Sequence, residues 1–140
     1  MKKILFLLAL VFSTGLLSAQ QQWTVCFRGK TCLKNVEEDP AGNLIRISKA
    51  GLAKKGDLTI RFSTDDGTVY RHLMADDQNR SGIKGWENIG SSFSVTTGEL
   101  KKLFEGRKKV LFYFTEIPRD PEKAALVRVR PVHLFTLELN

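Results

Sequence analysis

The sequence predicts an all-β domain: a β-sandwich or partly open barrel of about eight short antiparallel strands, with one short helix near residues 97–105. Three observations predict it. Apolar and polar residues alternate with period two in several short runs, as in Leu58-Thr59-Ile60-Arg61-Phe62. Clusters of Gly, Pro, Asn and Asp, such as Asp39-Pro40-Ala41-Gly42-Asn43, separate these runs. Helical spacing stands out in one stretch, Leu100, Leu103 and Phe104. An α+β sheet with that helix across one face is the alternative. There is no internal repeat and no low-complexity tract.

The first nineteen residues stand apart. Lys2 and Lys3 precede the apolar run from Ile4 to Phe12, and Leu17-Ser18-Ala19 ends in small residues. This is the pattern of a secretory signal peptide cleaved after Ala19. The run is shorter than the ~20 residues of a transmembrane helix, and Ser13, Thr14 and Gly15 interrupt it. No Cys follows the cleavage position, which argues against a lipid anchor. The expectation is a secreted or periplasmic protein whose working part, residues 20–140, is a single β-rich domain with no transmembrane span. Removing two lysines with the signal lowers the net charge from +7 to +5. A moderately basic, mixed-charge surface does not suggest a nucleic-acid-binding tail.

Within the domain, Trp23-Thr24-Val25-Cys26-Phe27 and Thr31-Cys32-Leu33-Lys34 alternate like strands around Arg28-Gly29-Lys30. A three-residue turn there opposes Phe27 to Thr31 and Cys26 to Cys32, so a Cys26–Cys32 disulfide is expected in an exported chain. Leu44 to Ser48 forms the next strand. Leu58 to Ser63 and Tyr70 to Met74 read as a hairpin around Thr64-Asp65-Asp66-Gly67-Thr68, with Gly67 left-handed and Phe62 facing Tyr70. Residues 75–90 read as an irregular loop rich in glycine. Ser92 to Val95 resumes a strand, and Thr96-Thr97-Gly98-Glu99 has the form of a capping box, with Gly106 as the helix stop. Val110 to Phe114 is an apolar run fit for a central strand. Ala125 to Leu139 reads as a long strand, bulged or at an edge near Pro131, paired with Val110 to Thr115.

Few residues point to chemistry. The histidines, His72 and His133, share apolar strand faces and read as packed residues. No zinc-ligand spacing, P-loop, dinucleotide fingerprint or nucleophile motif occurs, and Asp76 to Gly82 lacks the alternation and closing Glu of a calcium loop. Neither a cofactor nor a metal is expected. Trp86, with Lys84 in the segment Gly82 to Gly90, could stack on a sugar ring or anchor a protein, or instead plug the core. Arg128 and Arg130 on the last strand could meet an anionic polysaccharide or an envelope protein, or instead protect an edge. The functional expectation is therefore a small exported, non-catalytic binding module with Trp86, Lys84, Arg128 and Arg130 as binding residues. The alternatives are a small exported hydrolase using a His/carboxylate pair and a structural subunit of an envelope assembly.

Overall fold

The computed structural model describes residues 21–64 and 67–140. The proposed signal segment lies outside the described residues, as do Asp65 and Asp66 of the predicted turn. In chain order the elements are β1 (Trp23–Phe27), β2 (Lys30–Val36), β3 (Leu44–Ile47), α1 (Lys49–Ala53), β4 (Asp57–Phe62), β5 (Val69–Asp76), β6 (Gly82–Ile89), β7 (Ser92–Thr96), α2 (Thr97–Leu103), β8 (Lys109–Pro118), α3 (Pro121–Leu126) and β9 (Val132–Leu139). Strands make up 52% of the described residues and helices 15%, which selects the all-β reading over α+β.

Two sheets form, one ordered β2-β1-β4-β7 and the other β3-β9-β8-β5-β6. Pairings are antiparallel except β3 with β9, which run parallel. The inner faces close on one core. Trp23 of the first sheet meets Phe114 of the second edge-on at 5.6 Å between ring centroids, and Phe62 lies 5.0 Å from Phe114. Phe112 stacks on Phe135 at 4.8 Å. The predicted helix is present. Thr96 is its N-cap, accepting from the Glu99 N–H, and Leu100, Leu103 and Phe104 are buried. Gly106 follows with φ 70°. The predicted pairing of the apolar run with the last strand is also present, as β8 with β9.

Four local expectations change. Cys26 and Cys32 are both free thiols. The turn between β1 and β2 has two central residues, not three. Arg28 (φ 51°) and Gly29 (φ 82°) are both left-handed, as a type I′ turn requires. Phe27 therefore pairs with Lys30 and Cys26 with Thr31, and Cys32 falls in the register shift before Val25 meets Leu33. The Cys26 Sγ contacts the Thr31 hydroxyl at 3.7 Å.

The predicted β4–β5 hairpin is instead a crossing between sheets. β4 pairs with β1 and β7, whereas β5 pairs with β6 and β8. Gly67 does take φ 74°. The inward parity of β5 is Arg71, Leu73 and Ala75, all buried, so Tyr70, His72 and Met74 lie on the other face. Alternation identified both strands but carried no information on whether neighbours in sequence pair. Residues 75–90 are also not irregular: β5 and β6 form a hairpin. The Asp77 carboxylate accepts from the Asn79 and Ser81 N–H groups and builds its turn.

Finally, Ala125 to Leu139 is not one strand. Asp120 caps α3 with Pro121 in its first turn, and β9 starts only at Val132, after Pro131. Arg128 and Arg130 thus lie on the exposed connection between α3 and β9 rather than on a strand.

Candidate functional site

One end of the sandwich is where β1 begins, β2 and β8 end, and β9 begins. Between the sheets at this mouth is a cleft of about 320 Å³, lined by Gln21, Trp23, Glu37, Glu38, Phe114, Glu116, Arg130 and Val132. Open ends of β-barrels and sandwiches are common places for a ligand. The floor is aromatic and fixed. Trp23 is almost fully buried, and its indole N–H donates to the Leu134 carbonyl across the core at 3.1 Å. The same carbonyl accepts from the buried Asn43 amide, which also bonds the Glu37 carbonyl at 2.7 Å and fixes the segment after β2.

The rim carries the charge. Glu38 forms a two-pronged pair with Arg130, at 2.9 and 3.2 Å, and accepts the His133 backbone N–H at 2.9 Å. That guanidinium, with the backbone donor behind it, holds the Glu38 carboxyl below its usual range. The Arg130 pKa rises correspondingly through its hydrogen bonds to Glu38. Glu116, part-exposed at the opposite wall, has Arg71 Nε at 3.6 Å. Arg71 is buried with its guanidinium 4.2 Å from the Phe62 ring centroid and bonds the Thr64 carbonyl, but its Nε has no hydrogen-bond partner. Glu37 accepts from the Gln22 amide at 3.3 Å. Glu37 and Glu116 thus keep acceptor oxygens available at the rim, whereas Glu38 is engaged.

His133 sits just inside this clamp. Its ring packs edge-on against Tyr113 at 5.3 Å, Nε2 meets the Thr136 hydroxyl at 2.8 Å, and Nδ1 is buried without a partner. Burial pushes its pKa down, and Arg80, stacked 3.9 Å over Tyr113, adds to this against the pull of Glu38. Burial also pushes the Tyr113 hydroxyl up. The His133 Nε2 thus meets a hydroxyl rather than a carboxylate. Among the described residues, no group of three or more His, Cys, Asp and Glu side chains is arranged to hold a metal ion.

No protein-family model matches the chain, and no curated protein matches it either.

Of the four binding residues expected from sequence, only Arg130 lines the cleft. Arg128 is exposed two residues before it. Trp86 and Lys84 are on β6, three places from β9 in sheet order. Trp86 stacks on Phe112 at 6.3 Å and meets Phe93 at 5.7 Å, so it closes the β6–β7 side of the core. The Lys84 ammonium lies 5.3 Å from the Trp86 ring and 4.0 Å from Glu99. These four do not form one surface. The sequence reading missed Glu37, Glu38 and Glu116. The available signal was the Glu37-Glu38-Asp39 run ahead of Pro40, at a strand end.

Proposed function

We propose that the protein is an exported, non-catalytic binding module whose mouth cleft receives a cationic side chain of a protein partner. Export is supported by the Lys2/Lys3, apolar and Leu17-Ser18-Ala19 pattern of the first nineteen residues. The observation that carries the binding reading is the cleft itself: carboxylates with spare acceptors, Glu37 and Glu116, above a fixed Trp23/Phe114 floor. A lysine or arginine would lay its methylene stem along Phe114 and Val132 and its charge against the rim. A protein partner is favoured by the adjoining surface. Leu126, Val127 and Val129, exposed by 87, 49 and 40%, run directly into Arg130. Exposed apolar patches with polar borders are typical of protein contact surfaces.

The test titrates residues 20–140 with Nα-acetyl-lysine amide and, in parallel, Nα-acetyl-norleucine amide, following backbone amide shifts by NMR. The lysine probe is expected to shift Trp23, Glu37, Glu116 and Val132, and Glu37→Gln to weaken it roughly tenfold, the value of one charge-assisted hydrogen bond. Equal binding of the two probes, or shifts away from the mouth, overturns the reading.

A further inference from the structure

The opposite end of the sandwich has a different character. Here the β1–β2 turn, α1, the α2–β8 turn and the end of β9 come together. Three shallow depressions follow one another around it. The first lies against Arg107 and Lys108 beside the Asp77–Asn79 turn. The second shares Gly106, Arg107 and Lys108 with the first and adds Lys49. The third begins at Ser48, next to Lys49 in the chain, and continues to Arg46, Arg28 and Lys30. They form a single arc with cations along its length.

These cations are mostly unspent. Among the described residues, no carboxylate lies within ion-pair distance of Arg28, Lys30, Lys49, Lys54, Lys55 or Lys108. Asp57 and Glu105 are close in sequence but pair with none of them. Two arginines are also held in place. Arg28 sits at the left-handed position of its turn, with Nε on the Lys55 carbonyl at 3.4 Å. Arg107 donates to the Leu103 and Glu105 carbonyls at 3.1 and 3.2 Å. Unpaired like charges repel, so their concentration at one end disfavours the isolated protein and favours a polyanion.

We infer that this arc binds a linear anionic polysaccharide. A flexible chain with a charge on each repeat can follow the curve and release its counterions as the lysines replace them. A lipid surface fits less well, because among the described residues the exposed large hydrophobic side chains, Leu126, Val127 and Val129, are all at the mouth end. Nucleic acid fits less well because the aromatic side chains that line the arc are half-buried (Phe27) or buried (Phe104) and offer little open ring face for base stacking.

The experiment measures binding of residues 20–140 to dextran sulfate, neutral dextran, a single-stranded oligonucleotide and phosphatidylglycerol vesicles across a salt series. Two charge reversals are compared: Lys49→Glu/Lys108→Glu on the arc and Arg119→Glu/Lys123→Glu at the mouth end, which change net charge equally. Dextran sulfate is expected to bind with a steep salt dependence, and the arc variant to bind roughly tenfold more weakly while the mouth-end variant keeps most of its affinity. Circular dichroism confirms that both variants fold. Equal weakening by the two variants overturns the arc, and tighter binding to the oligonucleotide or the vesicles overturns the polysaccharide. Lysine-probe binding at the mouth should survive in the arc variant, so failure of either proposal leaves the other standing.

Discussion

At the mouth, Glu37 apart, charge is paired and built into the fold: Glu38 holds Arg130 and the His133 backbone, and Arg71 lies buried beside Glu116. At the far end, Lys49, Lys55 and Lys108 are exposed, with no carboxylate partner among the described residues. The difference lies in what surrounds the charges. The mouth groups border the Trp23/Phe114 core, where leaving a polar group unmatched is costly. The far-end lysines project from turns into water, where charge costs little and remains available to a partner. Variants at the mouth should therefore alter stability, and variants at the far end should alter binding alone.

The largest effect is expected where the mouth joins the core. Trp23→Ala should remove about 3–5 kcal/mol, because the cavity cannot refill between two sheets, and urea unfolding reads this as a lower midpoint. A loss below 1 kcal/mol would mean the mouth is not rigid. Glu38→Ala should cost about 1–2 kcal/mol, since it strands the part-buried His133 N–H. Arg130→Ala should cost clearly less, since Arg130 projects into solvent. If the two losses are equal, the Arg130 pair, not the backbone bond, holds the clamp.

Acid should act through the same cluster. The folded-state pKa of His133 lies below its ordinary 6.5, so its stabilising contribution is complete above 6.5 and declines as pH falls from there toward the lowered value. The folded-state pKa of Glu38 lies below its ordinary 4.5, so its contribution is present above 4.5 and is lost as pH falls through the lowered value. Stability measured against pH should fall in two stages, and His133→Gln should remove the upper one. The smallest effect is expected at Cys32, exposed on an outer strand: Cys32→Ser should change stability by less than about 0.5 kcal/mol. Both thiols should alkylate without reductant. A mass two hydrogens lighter, with no labelling, would contradict the Cys26–Thr31 register.

The elements of this fold were legible in the sequence where periodicity and boundary residues agree, as at the strands β4 and β7 and the capped helix α2. Pairing was less legible. The β4 and β5 patterns fit a hairpin as well as two different sheets, and the inward parity of β5 was hard to read because it includes Arg71, buried with Thr64, Phe62 and Glu116 around it, beside Leu73 and Ala75. Trp23 was readable as core because it alternates with Val25. Trp86 was readable either way, since its glycines fit a loop as well as an edge strand. The cleft was not legible because Glu37, Glu116 and Arg130 are far apart in sequence and meet only where three strands end. The basic arc was hidden for the same reason: its cations are spread over the β1–β2 turn, α1 and the α2–β8 turn.

The most direct test of the two-ended account is a pair of amide-shift titrations on one sample of residues 20–140, first with Nα-acetyl-lysine amide and then with dextran sulfate. Two separate footprints are predicted: Trp23, Glu37, Glu116 and Val132 for the lysine probe, and Arg28, Lys49, Arg107 and Lys108 for the polyanion. Overlapping footprints, or release of the first probe by the second, would contradict it.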